Sequence, residues 1–196
     1  FSAARDALLR LIAKDAAETA NWTSRPQLSP AVIAAISAVP RHAFVAERDL
    51  PFAYDNRPLA IGFGQTISQP FIVALMTDLL DLLPTDRVLE IGTGCGYQTA
   101  VLAHLCHIVH SIEVVPKLAS AARARLTALN YANVRLHDGD GFQGWPEAAP
   151  FEAIIVTAAP KAIPPALVQQ LSIGGRLVLP VGPAGQTQML CRCYKR

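Results

Sequence analysis

The chain has 196 residues, of which 52% are hydrophobic and 16% charged, with a formal net charge of +2 at neutral pH. That length matches one ordinary domain, large enough to bury a core without disulfide or metal staples. The apolar content excludes a disordered or acidic-tail protein, and a near-neutral charge with no concentrated basic patch speaks against a duplex nucleic-acid binder. The longest charge-free stretches, Pro58 to Thr77 and Ala162 to Gly175, are broken by Gly, Gln, Ser or Pro. No membrane span is therefore expected. Four cysteines, at 95, 106, 191 and 193, form neither a CxxC pair nor a disulfide frame, which suits free thiols in a reducing compartment. The sequence opens at Phe1 with no basic, apolar leader. We expect a cytoplasmic monomer forming a single domain over residues 1–196.

In chain order, Ser2 to Thr19 carries Leu8, Leu11 and Ile12 as one apolar stripe, and so predicts a helix. Asn21 to Pro26 reads as a turn-rich linker. A second helix is predicted from Ser29 as N-cap and Pro30 at the first helical position, stopping before Pro40. Residues 41 to 67 read as a long irregular segment, and segments this long are commonly functional. An apolar helix follows from Gln69 to Leu83. After Pro84 the pattern becomes regular. Strands are expected at Arg87–Ile91, Ile108–Glu113, Val134–His137, Ala153–Val156, Arg176–Leu179 and Gln188–Cys193. Helices are expected between them at Tyr97–Cys106, Lys117–Leu129 and Pro165–Leu171. Strands alternating with helices imply a mostly parallel sheet covered on both faces.

The strongest local signal is Leu89-Glu90-Ile91-Gly92-Thr93-Gly94-Cys95-Gly96-Tyr97, a glycine loop between a strand and a helix. Glycine permits a positive-φ turn and lets a ligand approach closely. The spacing is GxGxG, whereas a dinucleotide fingerprint requires GxGxxG. Glu113 lies 21 residues after Gly92, at the end of the next strand. There it can accept hydrogen bonds from two ribose hydroxyls. The following strand ends in His137-Asp138-Gly139-Asp140-Gly141. Alone, each feature reads as a tight turn, a surface acid or a turn former; together they outline a nucleoside pocket at the carboxyl ends of the strands. No GxxxxGK[ST] motif accompanies them, so a nucleoside without phosphates to cradle is indicated, which points to S-adenosyl-L-methionine.

The stretch Thr157-Ala158-Ala159-Pro160-Lys161 differs from the (Asn/Asp)-Pro-Pro-(Tyr/Phe) signature of enzymes that methylate base amines. The segment Tyr54 to Pro70, with Gly64-Gln65-Thr66-Ile67-Ser68-Gln69-Pro70 at its core, is more telling. Together with Val39–Val45, Gly139-Asp140-Gly141 and Ala149–Ala159, it closely resembles the protein-L-isoaspartate (D-aspartate) O-methyltransferase family. The resemblance spans roughly residues 32 to 190. It implies a Rossmann-like class I S-adenosylmethionine-dependent α/β fold with an N-terminal helical extension. Residues 1–83 would supply the helices and the acceptor loop, and residues 84–196 the cofactor core. It also implies a repair enzyme that methylates the free α-carboxylate of L-isoaspartyl residues in damaged proteins and peptides, releasing S-adenosyl-L-homocysteine, with no metal, membrane or nucleic-acid partner. Carried over, the catalytic serine falls on Ser68. Cofactor contacts fall on Gln65, Thr66, Ile67 and Ser68, on Glu90, Ile91, Gly92, Gly94 and Gly96, on Glu113 and Val114, and on Asp140 and Gly141. Cys95 stands where a serine is common and Ala60 where a proline is common. Family members continue beyond a stretch like Val181–Gly185 into a further strand and an Arg-Phe-Val-Pro-Leu-like end, whereas the sequence given stops at Arg196.

A carboxylate is ionised at pH 7, so this nucleophile needs no general base. Its reaction with a sulfonium cancels charge, so exclusion of water assists. Alignment of oxygen, methyl and sulfur can supply roughly 7–11 kcal/mol. Ser68 then reads as a hydrogen-bonding positioner, not a covalent nucleophile. By spacing alone it reads first as an N-cap for the helix starting near Gln69, worth ~1 kcal/mol, and the family resemblance reverses that order; both roles can coexist. His104, His107 and His110 run from helix into strand and are not expected to converge on zinc. Arg41 and His42 read as loop anchors, and Trp145-Pro146 as a packing corner. Cys191 and Cys193 read as alternating across one expected strand, and so are not expected to face one metal together. Three alternatives remain open: a related aspartate or peptide O-methyltransferase with one dedicated substrate, a catalytically impaired S-adenosylmethionine-binding module, and an NAD oxidoreductase, for which no hydride site is visible.

Overall fold

The computed structural model describes residues 1–183 and 186–196; Ala184 and Gly185, part of the family-like stretch Val181–Gly185, lie outside the described residues. Its helices are α1 (Ser2–Glu18), α2 (Ala20–Thr23), α3 (Pro30–Ala38), α4 (Pro70–Leu79), α5 (Tyr97–Ala103), α6 (Pro116–Ala128) and α7 (Pro165–Gln170). Its strands are β1 (Leu59–Gly62), β2 (Gln65–Ile67), β3 (Arg87–Ile91), β4 (Ile108–Glu113), β5 (Val134–Asp138), β6 (Phe151–Val156), β7 (Leu171–Val181) and β8 (Met189–Tyr194). Most expected elements stand within a few residues of their places. The Ser29 hydroxyl accepts from Val32 N at 3.3 Å to start α3, with Pro30 in the first turn. The expected linker after Asn21 instead contains α2. The segment expected to be wholly irregular contains an antiparallel hairpin, β1–β2, turned at Gly62-Phe63-Gly64. Helix α4 stops at Leu79, short of Leu83, because Asp81 takes φ +45 and Pro84 disfavours a helical residue before it.

The main sheet has strand order β5-β4-β3-β6-β7-β8, parallel except for β8, which pairs antiparallel with β7. The chain steps outward from β3 to β4 and β5, then returns to the other side of β3 with β6. The switch point therefore lies between the carboxyl ends of β3 and β6, where open α/β sheets hold their ligands. Side chains alternate across the pleat. Val88, Val109, Ala153, Ile155 and Val178 join one core with α1, α3, α4 and α5. Leu89, Ile91, Ile112, Ile154, Val156, Leu177 and Leu179 join a second core with Phe151, Leu167 and Leu171. The same parity corrects the cysteine reading. Residues two apart on a strand share a face, so Cys191 and Cys193 both pack against the second core.

Polar struts tie the amino-terminal half to the sheet. Asn56 donates to Asp15 Oδ2 at 2.6 Å and accepts from Phe71 N at 3.0 Å, joining α1 to the start of α4. Arg41 is wholly buried, donates to Ala53 O at 2.9 Å and lies over the Tyr97 ring. His42 Nδ1 pairs with the Tyr54 hydroxyl at 2.8 Å. Both residues are the loop anchors expected from sequence. Arg176 on β7 donates to Leu80 O at 2.7 Å and Asp81 O at 2.8 Å, and pairs with buried Asp86 at 2.5 Å. Arg176→Met leaves Asp86 buried without its counter-charge and should cost about 3 kcal/mol, read as a lower denaturant midpoint. An unchanged midpoint would show that the Leu83 N–H, which donates to Asp86 Oδ2 at 2.9 Å, satisfies that carboxylate alone.

Candidate active site

Three strand ends deliver their loops to one rim. The β3 loop supplies Ile91, Gly92, Thr93 and Gly94, the end of β4 supplies Glu113 and Val114, and the loop after β5 supplies Asp140, Gly141 and Phe142. With Gln65, Thr66, Ile67 and Ser68 they line a cavity of about 290 Å³. Glu113 is buried, and its carboxylate is held by two backbone donors: Gly94 N to Oε2 at 2.7 Å and Val115 N to Oε1 at 2.9 Å. A carboxylate oxygen accepts more than one hydrogen bond, so this anchored group keeps acceptor capacity toward the cavity. Asp140 accepts from Phe142 N at 3.0 Å through Oδ1, which shapes the Gly141–Gln143 turn. At Gly141 a Cβ would run into the Ile91 side chain, so only glycine lets that turn close on the cavity. Val114 stands exposed at the lip.

The glycine loop is built to hold one shape. Gly92 has φ +96, and its N–H donates to Ile112 O at 2.8 Å. The Thr157 hydroxyl, from the β6 end of the switch point, shares its proton between Ile91 O at 3.0 Å and Gly92 O at 2.8 Å. From the far side, Arg125 of α6 donates to Cys95 O at 2.7 Å. Hairpin β1–β2 covers the loop, with Ile61 facing Gly94.

Two residues expected at the cofactor sit elsewhere. Gly96 does not line the cavity; its Cα faces Leu126 of α6, and a Cβ there would lie 3.2 Å from that side chain. It serves helix packing. Glu90 is fully buried beneath α5, accepting through Oε2 from Thr99 Oγ1 at 2.5 Å and Ser111 Oγ at 2.6 Å. With Leu89 and Ile91 facing one side of the sheet, Glu90 must face the other. Burial raises its pKa to about 8 against those two hydrogen bonds. The folded protein therefore binds this proton more tightly than the unfolded chain. The stability it contributes is complete below about pH 4.5 and is lost as pH rises to about 8. Relative to wild type, Glu90→Gln should gain stability steadily from pH 5 to 8, as measured by urea midpoints. A constant difference would contradict the shift.

A second cavity of about 330 Å³ adjoins the first, with Ile72, Met76, Pro180 and Leu190 among its apolar walls. Ser68, Val73, Gln98 and Thr157 line both. Ser68 is half-buried on that common wall. The N-cap of α4 is Gln69 and takes no side-chain hydrogen bond, so the Ser68 hydroxyl is not spent on capping. Thr157, Gln98 and Arg125 escaped the reading of the sequence. Thr157 closes a strand at the same rim and Gln98 opens the helix after the glycine loop, positions that could have flagged them. Arg125 sits mid-helix, and nothing local marks it.

Elsewhere, His104 lies against Tyr131, while His110 is buried against Trp145 and Phe151. Trp145 also packs on His137, so it is the packing corner expected. Among the described residues no three His, Cys, Asp or Glu side chains gather as a metal set, and no helix is long and apolar enough to cross a membrane.

The parallel sheet, its switch-point crevice and a nucleoside-sized cavity edged by Glu113 and Asp140 define a class I, Rossmann-like methyltransferase. The model of the protein-L-isoaspartate(D-aspartate) O-methyltransferase family matches residues 20–196. Protein-L-isoaspartate O-methyltransferase 2 of Polaromonas sp. is 55% identical over 173 residues, 88% of this chain and 82% of that protein. A solved protein-L-isoaspartate O-methyltransferase superposes with TM-score 0.84 at 28% identity, covering 98% of this chain, which spans 60% of its length. The Plasmodium falciparum β-aspartate methyltransferase in complex with S-adenosyl-L-homocysteine superposes with TM-score 0.74 at 25% identity, covering 86% of this chain and 83% of that one. This chain belongs to the protein-L-isoaspartate (D-aspartate) O-methyltransferase family, and its methyl donor is S-adenosyl-L-methionine.

Proposed function

We infer that this chain repairs damaged proteins and peptides by methylating the free α-carboxylate of L-isoaspartyl residues. Residues 1–196 act as one methyltransferase domain, in which 84–196 hold the cofactor and 1–83 present the acceptor. The observation that carries this reading is the place of Ser68 on the wall shared by the two cavities. When bound, the cofactor supplies a methyl group on a sulfonium. The chain's own residues then bind and aim. Glu113 accepts from the ribose, Asp140 and Gly141 border the adenine side, and Gln65, Thr66 and Ile67 form the roof. Ile91, Gly92 and Gly94 let the donor lie against backbone. Ser68 donates to the incoming carboxylate and fixes its direction. No residue need remove a proton, because the nucleophile is ionised at pH 7. The apolar walls of the second cavity reduce water around the acceptor, which favours a step that cancels charge.

The buried Cys95 and Cys106 thiols and the partly exposed Cys191 and Cys193 are all unpaired, which accords with a cytoplasmic setting. Matched isoaspartyl and aspartyl peptides test the function directly in a methyl-transfer assay. Transfer to many unrelated isoaspartyl peptides and to no aspartyl counterpart is expected. Activity confined to one peptide sequence would favour a dedicated-substrate enzyme, and tight S-adenosyl-L-homocysteine binding without transfer would mark a binding module.

A further inference from the structure

The wall between the cavities holds three polar side chains, those of Ser68, Gln98 and Thr157. Thr157 has one hydroxyl proton, and it is committed to the carbonyls of Ile91 and Gly92. Gln98 is held differently. It lies in the first turn of α5, 8% exposed, and its Nε2 donates to Thr77 Oγ1 at 2.9 Å. Thr77 in turn donates to Val73 O at 2.7 Å. Its single proton is thereby used, so its oxygen can only accept, and this settles which end of the Gln98 amide faces it. The amide is fixed by one N–H and keeps a second N–H.

Among the described residues lining either cavity there is no lysine or arginine. A carboxylate entering here must be held by neutral donors. Neutral donation suits the chemistry: a cation beside the nucleophile would lower its basicity and repel a sulfonium at short range. A carboxylate also has two oxygens, and in-line attack leaves one of them free for donors.

We propose that Gln98 is a second acceptor-binding residue, donating its free N–H to the non-attacking carboxylate oxygen while Ser68 donates to the same group. The assignment rests on the reading of an isoaspartyl carboxylate as acceptor. Ser68 precedes α4 and Gln98 lies in the first turn of α5, so two donors from separate elements fix the plane of the carboxylate and not only its position. Thr77 acts behind Gln98 as the positioning residue.

The test uses Gln98→Met and Gln98→Glu in the full chain. The readouts are KM for an isoaspartyl peptide, kcat, and the Kd of S-adenosyl-L-homocysteine by calorimetry. In Gln98→Met the peptide KM should rise about tenfold, the loss of one hydrogen bond to a charged group. In Gln98→Glu it should rise further, because two carboxylates then oppose each other, and the added penalty should shrink below about pH 6 as the new side chain protonates. Homocysteine-product affinity should stay within about threefold in both, a margin under 1 kcal/mol. Unchanged peptide KM in both variants, with an active wild type, would overturn the assignment alone. So would product affinity falling in parallel with peptide affinity, which would mark Gln98 as scaffold. A wild type that binds the product but methylates no isoaspartyl peptide would sink the reading of the acceptor, and this assignment with it.

Discussion

Ser68→Ala should lower kcat on the order of 100-fold while leaving the Kd of S-adenosyl-L-homocysteine within about threefold. Ser68 lines both cavities, and its hydroxyl is free of capping duty. Removing it therefore takes away an acceptor donor without unpinning the backbone. The backbone of this segment is held by other groups: Ile67 is buried, and Phe71 N is bound by Asn56. A stability loss of the size expected for a lost cap, ~1 kcal/mol, is not expected. Single-turnover methyl transfer and calorimetry on the same variant separate the two effects. Unchanged turnover would remove Ser68 from the machinery.

Gly92→Ala should be the most damaging single change on the cofactor side. The residue sits at φ +96, outside the range an L side chain adopts comfortably, at a cost of roughly 1–2 kcal/mol. Its new Cβ would also run into Thr157 Oγ1, the atom that clamps the loop. Overpacking of that kind adds about 1–3 kcal/mol. The expected result is a total loss near 3 kcal/mol in thermal or denaturant unfolding, with product affinity down by more than about 100-fold. The double variant Gly92→Ala/Thr157→Ala gives the argument its edge. Without the hydroxyl, the nearest remaining Thr157 atom is its Cβ at 3.7 Å, an ordinary contact. The overlap component should then be recovered and the φ component should persist, so the two substitutions will not add. Strict additivity would show that the clash is relieved by other means.

Much of the site could be read from the chain because α/β alternation dictates where loops emerge. Once Arg87–Ile91, Ile108–Glu113 and Val134–Asp138 are strands of one parallel sheet, Gly92, Glu113 and Asp140 must share a rim. What failed was side-chain parity. Glu90 belongs to the glycine motif by proximity, yet the pleat turns it under α5, and the same period-two parity puts Cys191 and Cys193 on one face. Hairpin β1–β2 went unseen because strands of four and three residues carry too little alternation to register. Thr157 and Arg125 act on carbonyl groups far away in sequence, contacts that no local pattern encodes.

The turn of the hairpin that covers the glycine loop and the serine at its base are held very differently. Phe63 at the hairpin tip is largely exposed, with only the Lys117 ammonium over its ring, whereas Ser68 leads directly into a helix whose residues are nearly all interior. Insertions or exchanges at the tip should therefore leave the α4 entrance and its serine in place, so that the length and composition of the hairpin turn are free to drift in evolution while the cavity wall stays anchored.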